Sequence, residues 1–289
     1  MKTILSGFVR AVSKVIGKRN LEQLLVFSAK AVNINLHEHA LIQIGGSGSL
    51  KEGASGERTF LIDTLPCLCK DNAQPVFFDI GANIGNYTLE LRNYFPNASI
   101  YSFEPVKGTF EKLQNNTINA GVNLYNIGFS DTKGTGTLFN TIDNSDTEIA
   151  SVYKDVFPEI FKNDNEISPI EFQMDTIDSF CISNSITNID FLKIDVEGHE
   201  LSVLKGAGNM LRNGKIRFIQ FEFNSHNVYS RVFLRDFYML LTGFEFYRIV
   251  QTGIDKLGPY NTANEIFVQQ NILAVNGDVS DCIKDVFSA

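Results

Sequence analysis

Two stretches of this chain place acidic side chains directly after runs of strand-forming residues, where an α/β protein usually carries its chemistry. The first is PVFFDIGANIGNY, Pro75–Tyr87, in which Asp79 is followed by Gly81 and Gly85. Glycines just past a strand let the backbone turn tightly and approach a ligand. The helix that follows directs its free N–H groups to the same place. This stretch therefore predicts a binding site for a small metabolite with an anionic group.

The spacing of these residues indicates which metabolite. The dinucleotide fingerprint is G-x-G-x-x-G, whereas the pattern here is D-x-G-x-x-x-G and lacks the third glycine. The looser loop suits the carboxylate and ammonium of an amino acid, with Asp79 near the ammonium. Glu104 follows the next predicted strand, and an acid at that position can accept both hydroxyls of a ribose. A ribose and an amino-acid head group together describe S-adenosylmethionine.

A second stretch, Phe191–Glu200, also begins with strand-forming residues and holds three acids and a histidine within six positions. These four residues are Asp195, Glu197, His199 and Glu200. Ligands of open α/β sheets bind beyond the carboxyl ends of the strands, so we expect Glu222, near the end of the apolar run Ile216–Phe223, at the same edge. Burying an unpaired carboxylate is costly. Glu222 therefore either belongs to the site or pairs with Lys193 or Arg217.

The elements that position these residues alternate between strand and helix after residue 75. Apolar runs rich in β-formers predict seven strands: Val76–Ile80, Ser99–Phe103, Val122–Ile127, Ile189–Ile194, Ile216–Phe223, Phe244–Val250 and Glu265–Gln270. Repeated strand–helix units form a parallel sheet with helices on both faces. No helix separates the last two strands, so one of them should run antiparallel.

Two regions depart from this alternation. Residues 1–74 are expected to form an N-terminal helical extension of the main domain, residues 75–289. Residues 132–170 are polar and contain two prolines, so we expect an insertion near the site, since long loops in compact domains are usually functional or disordered. Within it, Thr135–Asn140 and Ile170–Met174 could pair as a small β-extension.

The first 19 residues combine apolar and basic side chains in a helical pattern. The apolar face holds Ile4, Leu5, Phe8, Val9, Val12, Val15 and Ile16, and the remainder holds Lys2, Arg10, Lys14, Lys18 and Arg19. We expect this helix to dock its apolar stripe on the main domain. The alternative is a peripheral contact with a membrane surface.

The composition argues against several other classes of protein. A net charge of −8 in 289 residues argues against a broad nucleic-acid surface. No apolar run reaches the roughly 18 residues that a transmembrane helix needs. The four cysteines lack the spacing of a zinc site and are expected to be inert thiols in a reducing cytosol. We therefore predict a cytoplasmic protein.

Several motifs together resemble the FkbM family of S-adenosylmethionine-dependent methyltransferases. FDIGANIGNYTLEL, YSFEP, NIGFSD, MDTIDSF and FLKIDVEGHELSVLKGA occur in that order over roughly residues 75–225. The resemblance implies a class I methyltransferase (Rossmann-like) fold, with a mostly parallel seven-stranded sheet and an antiparallel last strand. It also implies, usually, O-methylation of a hydroxyl on a sugar, glycolipid or polyketide.

The same resemblance assigns residues to the cofactor. The motif-matched positions are Asp79, Gly81, Ala82, Asn83, Gly85, Glu104, Ser130 and Asp131, with the last two beside the adenine. Residues 1–74 and 132–170 match the family poorly, and substrate choice should reside there.

Methylating a hydroxyl requires an aligned displacement and a base that takes the hydroxyl proton. His199 is the best candidate for the base, because its ordinary pKa of about 6.5 suits that role. Asp195 and Glu197 could orient His199, bind the acceptor or act as the base themselves. Together with Glu222 they could also surround a divalent cation. Their spacing is not diagnostic of a metal, so we assign none.

The sequence thus predicts an S-adenosylmethionine-dependent O-methyltransferase that acts on a sugar, glycan or related hydroxylated metabolite and binds no nucleic acid. Two alternatives stay open. One is N-methylation of an amine or protein side chain, which needs no strong base. The other is a non-catalytic glycan-binding module that has kept the fold. The missing third glycine disfavours an NAD-linked enzyme.

Overall fold

A computed structural model of the chain describes residues 2–46, 56–141, 150–159 and 167–277. Its strands are β1 Val76–Ile80, β2 Ser99–Phe103, β3 Asn123–Tyr125, β4 Gly128–Phe129, β5 Gly134–Thr141, β6 Ile167–Asp175, β7 Ile189–Ile194, β8 Ile216–Phe223, β9 Glu245–Val250, β10 Gly253–Lys256 and β11 Gln270–Val275.

The helices before the sheet are α1 Lys2–Ile16, α2 Lys18–Ala31, α3 Leu36–Gln43, α4 Glu57–Thr59, a π-helical turn Phe60–Thr64 and α5 Leu65–Leu68. Those that follow β1 are α6 Asn86–Tyr94, α7 Lys107–Asn116, α8 Val156–Glu159, α9 Ile177–Ser183, α10 Glu200–Lys205, α11 Gly208–Arg212, α12 His226–Ser230 and α13 Leu234–Leu240, with a 3-10 turn at Thr262–Asn264.

Eight strands form the main sheet in the order β10-β9-β11-β8-β7-β1-β2-β3. The five strands from β8 to β3 are parallel neighbours. β11 is antiparallel to both β8 and β9, so β9 runs in the same direction as the parallel strands. The predicted mostly parallel α/β sheet is confirmed, and the carboxyl ends of β1, β7, β8 and β9 lie at one edge.

The predicted antiparallel last strand is confirmed, but its predicted bounds and the predicted number of strands are wrong. The last strand is Gln270–Val275 rather than Glu265–Gln270, and it is buried along its whole length because it lies between two other strands. The eighth strand, β10, was not predicted. It is short and lies at the sheet edge, and Gly253, with φ +136°, is its first residue, directly after the turn that follows β9.

Both faces of the sheet are covered by apolar side chains. Successive strand residues point to opposite faces, so Phe77 and Phe78 of β1 enter different cores. Phe78 packs against Phe180 of α9, with ring centroids 5.8 Å apart. Phe77 belongs to the core that also holds Phe60 and Leu65, both fully buried. Burying each such side chain is worth roughly 1.5–3 kcal/mol, so residues 57–68 form one wall of this core.

The predicted pairing within residues 132–170 is confirmed. β5 and β6 are antiparallel, with Leu138 opposite Ile170 and Thr135 opposite Gln173. They form a three-stranded sheet with β4. Residues 142–149 and 160–166 of this region lie outside the described residues.

Two further findings concern the cysteines and the lengths of the helices. Cys69 and Cys181 are buried free thiols, whereas Cys67 is disulfide-bonded, so the expectation of four free thiols is wrong for Cys67. Cys282 lies outside the described residues. None of the helices in the described ranges is long and apolar enough to cross a membrane.

Candidate active site

The glycine loop after β1 is held by backbone contacts. The N–H groups of Gly81 and Ala82 donate to the carbonyl oxygen of Phe103 at the end of β2, at 3.0 and 2.9 Å. Gly81 has φ +78°, and a Cβ atom there would lie 1.8 Å from the carbonyl oxygen of Asp195. Only glycine fits this position. The loop is thereby pressed against the turn that follows β7.

Asp79 lies beneath this loop, fully buried, and lines neither of the cavities described below. Its Oδ2 accepts a hydrogen bond from the hydroxyl of Thr88 at 2.6 Å, and its Oδ1 is 3.6 Å from Nζ of Lys193. Lys193 also contacts Asp195 Oδ2 at 3.2 Å. Burial disfavours the charge on Lys193, but Asp195 and Asp79 overcome it and raise the pKa of Lys193 above its ordinary value. Asp79 therefore supports the loop from below.

Glu104 is placed where the sequence predicted, at the end of β2 and 7% exposed. Its two carboxylate oxygens accept from the N–H groups of Asn83 at 3.1 Å and Val106 at 2.9 Å. Burial raises the pKa of Glu104 to about 7, against the opposing effect of these two hydrogen bonds. Glu104 lines a cavity of about 150 Å³ together with Asn83, Pro105, Val106, Leu138, Asp195 and Glu197, among others.

A second cavity, of about 370 Å³, lies on the other side of the glycine loop. It is lined by Gly81–Ile84, by Asn86, Tyr87 and Glu90 of α6, by Lys193 and Asp195, and by Glu57, Arg58 and Leu61 from the segment before β1. Gly81, Asn83 and Asp195 line both cavities. The two cavities therefore meet at the loop and at Asp195.

The residues before β1 are tied to the sheet by a buried glutamine. Gln220 of β8 is fully buried, and its Nε2 donates to Glu57 Oε1 at 2.8 Å and to Asn271 Oδ1 at 3.0 Å. Its Oε1 accepts from the hydroxyl of Tyr87 at 2.8 Å. This network fixes Glu57 at the wall of the larger cavity.

Three acids converge where β7 and β8 end. One carboxylate oxygen from each of Asp195, Glu197 and Glu222 lies within 4.8 Å of the other two. We call these three residues the acidic cluster. Burial, followed by the charges of Asp195 and Glu197, raises the pKa of Glu222 well above its ordinary value. Such a cluster could share a proton or hold a divalent cation through its oxygens.

Glu197 is held in this cluster by a tight turn and by the loop after β8. It has φ +53° and is followed by Gly198 at φ +95°. Its Oε2 lies 2.9 Å from Nδ1 of His226 and accepts from Asn224 Nδ2 at 3.3 Å. Asn224 also donates to Glu222 Oε2 at 2.7 Å. Positive φ at a residue other than glycine is uncommon and often marks a functional position.

Glu200 was singled out only as part of the second stretch, and the structure buries it beneath the same turn. It is 1% exposed, and its Oε1 accepts from the N–H groups of Val196 and Gly198 at 3.2 and 3.0 Å. Its Oε2 is buried without a hydrogen-bond partner among the described residues. Burial raises the pKa of Glu200 to about 8.

His199 lies away from the acidic cluster. Its Nε2 is hydrogen-bonded to Oγ of Ser130 at 3.0 Å, and Ser130 donates to Asp131 Oδ1 at 3.2 Å. Burial lowers the pKa of His199, and Asp131 acts in the opposite direction. The structure thus groups His199 with the predicted adenine-side pair. His226, rather than His199, contacts an acid of the cluster.

Lys193 and Arg217 do not neutralise Glu222, because Lys193 pairs with Asp79 and Asp195, and Arg217 pairs with Asp190. Sequence reasoning missed that Lys193 lines the larger cavity and that Gln220 holds Glu57 at its wall. Polar residues inside apolar strands were the available signal, because each needs a buried partner. No feature of the sequence indicated that Glu57 and Arg58 line the larger cavity.

The strand order and the site at the carboxyl ends of the strands define a class I methyltransferase fold. The family model for the methyltransferase FkbM domain matches residues 79–249, which is more than half of the chain. The chain therefore belongs to the FkbM family of S-adenosylmethionine-dependent methyltransferases.

Curated relatives carry methyltransferase names. Methyltransferase sdnD of Sordaria araneosa is 29% identical over 158 residues, 47% of this chain and 61% of that protein. Hexuronic acid methyltransferase AglP of Haloferax volcanii is 28% identical over 138 residues, 48% of this chain and 52% of that protein. The chain thus spans little more than half the length of these relatives. A crystal structure of methyltransferase FkbM from Methylobacillus flagellatus KT is 14% identical, with a TM-score of 0.40, over 70% of this chain and 44% of that chain.

Proposed function

We propose that the chain transfers a methyl group from S-adenosylmethionine to a hydroxyl of a sugar, glycan or related metabolite. The observation that carries the proposal is the acidic cluster, because two of its members, Asp195 and Glu197, line the cavity that contains Glu104. A hydroxyl is a weak nucleophile that needs a base, and this cluster supplies one beside the donor residues. The likeness to a hexuronic acid methyltransferase supports a carbohydrate acceptor.

The residues around the smaller cavity fit the nucleoside end of the donor. When bound, S-adenosylmethionine supplies a methyl group already activated by a sulfonium. Glu104 offers its carboxylate to the ribose hydroxyls while two backbone N–H groups hold it in place. Gly81 keeps the loop free of a side chain that would collide with Asp195. Ser130, Asp131 and His199 are proposed to line the adenine side.

The larger cavity fits the amino-acid end of the donor. Its wall combines acids, Glu57, Glu90 and Asp195, with the cations Arg58 and Lys193. Lys193 is already paired with two carboxylates. We therefore assign Arg58 to the α-carboxylate and Glu57 to the α-ammonium, a role that the sequence had given to Asp79.

In the acidic cluster, Glu197 is the proposed base. It is the member held by both His226 and Asn224, and its side chain is 31% exposed at the cavity. Asp195 and Glu222 each place a carboxyl oxygen within 4.8 Å of a Glu197 oxygen. Glu197 takes up the proton of the acceptor hydroxyl as the new oxygen–carbon bond forms and the sulfur–methyl bond of the donor breaks, which leaves neutral S-adenosylhomocysteine. We assign no metal, and the test includes a chelator.

Purified chain incubated with labelled S-adenosylmethionine and hexuronic-acid or neutral glycans tests this function. We expect label on a hydroxyl as a methyl ether, which survives mild base, with turnover unchanged by the chelator. A base-labile product would indicate a methyl ester on the uronic acid, and label on amines would indicate N-methylation. Either result, or a failure to bind the donor in calorimetry, contradicts the proposal.

A further inference from the structure

The first 36 residues have a charge opposite to that of the whole chain. They contain six basic residues, Lys2, Arg10, Lys14, Lys18, Arg19 and Lys30, and a single acid, Glu22. The complete chain has a net charge of −8. All of the excess negative charge therefore lies in the remainder of the molecule. This asymmetry indicates an anionic partner for the N-terminal helices and not for the catalytic domain.

The same helices expose several large apolar side chains. In α2, Leu24 is 51% exposed, Leu25 57% and Phe27 71%, and Ala29 is the buried residue of that helix. In α1, Val15 is 84% exposed. The expectation that the apolar stripe of α1 docks on the main domain is not met at Val9 and Val15, which are 43% and 84% exposed. Large apolar side chains exposed in such number on neighbouring helices are typical of an interaction surface.

The N-terminal helices contact the catalytic domain at the carboxyl ends of the strands, where the candidate site lies. A Cβ atom on Gly45 would lie 2.4 Å from the carbonyl oxygen of Ile249, and one on Gly56 would lie 2.3 Å from the backbone of Val250. Ile249 and Val250 end β9, which runs parallel to β1, β7 and β8. Two residues after Gly56, Arg58 lines the larger cavity. The exposed helices are therefore attached to the catalytic domain at the carboxyl ends of the strands, where both cavities lie.

We propose that residues 9–36 of the N-terminal helices form a docking surface for an anionic lipid bilayer. Their apolar side chains enter the interface and the basic side chains meet lipid phosphates, as in other interfacial amphipathic helices. Neither α1 nor α2 can cross a membrane, so the helices lie on its surface. The acidic catalytic domain is repelled by the same lipids, which orients the molecule with its N-terminal side toward the bilayer. This inference does not depend on the proposed acceptor.

Vesicle flotation of the full chain tests the proposal. We expect binding to vesicles of phosphatidylcholine with phosphatidylglycerol, little binding to phosphatidylcholine alone, and release by added salt. The double variants Leu25→Ser/Phe27→Ser and Lys14→Glu/Arg19→Glu should each weaken binding by about tenfold or more. All four positions are exposed, so thermal melting should match the unaltered chain.

Matched controls come from the catalytic domain, where Ile182 is 77% exposed and Lys205 is exposed. Ile182→Ser and Lys205→Glu should leave vesicle binding unchanged. The proposal is overturned if the unaltered chain binds neither kind of vesicle, or if the N-terminal variants bind as well as it does. Light scattering that shows a dimer dissolved by Leu25→Ser/Phe27→Ser would assign the patch to a second copy instead.

Discussion

The glycine loop after β1 acts through backbone atoms, whereas the acidic cluster after β7 and β8 acts through side chains. In the loop, the N–H groups of Gly81, Ala82 and Asn83 donate to Phe103 and Glu104 at the end of the neighbouring strand β2. These contacts fix the shape of the loop at little electrostatic cost. We propose that the loop and Glu104 form the donor side of the site.

The acidic cluster brings like charges together from separate parts of the chain. Glu222 has a strongly raised pKa, because burial and the neighbouring acids both oppose its ionisation. Glu200, buried under the same turn, has a pKa raised to about 8. Glu200 holds the turn by accepting from the N–H groups of Val196 and Gly198, and Glu222 accepts from Asn224. Carboxyl groups with perturbed pKa values are typical of proton-transfer sites. We propose that the acidic cluster forms the acceptor side of the site.

The largest expected effect is a fall in kcat that leaves donor affinity unchanged, which distinguishes the acidic cluster from the glycine loop. Glu197→Gln removes the proposed base but keeps the shape and hydrogen bonds of the side chain, so kcat should fall by roughly 10²–10⁴-fold. The affinity for S-adenosylhomocysteine, measured by calorimetry, should be unchanged. Glu171→Gln, on an exposed residue of β6, is the matched control. Equal losses in kcat and donor affinity would show that Glu197 belongs to the donor side.

A second prediction concerns stability on the acceptor side. The folded-state pKa of Glu200 is about 8, against an ordinary value of 4.5, so between these values the folded chain binds more protons than the unfolded chain. Stability should then fall as pH rises through this window, by up to about 1.4 kcal/mol per pH unit for one such proton. Urea unfolding from pH 5 to pH 8 should show a smaller decline for Glu200→Gln. An unchanged slope would mean that Glu200 is ionised in the folded chain.

Donor affinity should respond most to Glu104. Glu104→Ala removes an acceptor of hydrogen bonds from ribose, and bonds to a charged group are worth about 1.5–3 kcal/mol, or roughly tenfold to a hundredfold in affinity. Because the pKa of Glu104 is raised to about 7, affinity in the unaltered chain should also rise between pH 6 and pH 8 as the carboxylate ionises. Calorimetry that finds Glu104→Ala as tight as the unaltered chain would remove the ribose role.

The difference between the glycine loop and the acidic cluster also explains which site residues could be predicted from the sequence. Gly81, Gly85 and Glu104 were predictable because adjacent strand ends place them together by local chain geometry. The small sheet of β5 and β6 followed from two runs of strand-forming residues. The wall formed by Glu57 and Arg58 was not predictable, because it depends on a contact between Glu57 and Gln220, 163 positions apart.

The position of His199 could not be predicted from its spacing to Asp195 and Glu197. The positive φ angles of Glu197 and Gly198 reverse the backbone between the acids and the histidine. Glu197 consequently reaches His226, while His199 reaches Ser130. A single pair of left-handed residues redirects the neighbouring side chains, and sequence spacing does not reveal it.

A smaller effect on donor affinity is expected for Arg58, which lies outside residues 79–249 matched by the family model. Arg58→Met should weaken S-adenosylhomocysteine binding by about tenfold, the worth of a charge-assisted hydrogen bond. Binding of 5′-methylthioadenosine, which lacks the amino-acid end, should not change. Lys205→Met on an exposed part of α10 serves as control. Equal weakening of both ligands would place Arg58 elsewhere than at the α-carboxylate.

The smallest effect is expected for His199, which is hydrogen-bonded to Ser130 and lies away from the acidic cluster. His199→Ala loses one hydrogen bond to Ser130, worth about 1 kcal/mol, so the donor KM should rise by roughly fivefold. Turnover at saturating donor should stay near that of the unaltered chain, because the acidic cluster is intact. A fall in kcat as large as that of Glu197→Gln, with donor affinity preserved, would instead make His199 the base. His226→Ala would then be expected to leave kcat unchanged, although His226 is the histidine that contacts Glu197.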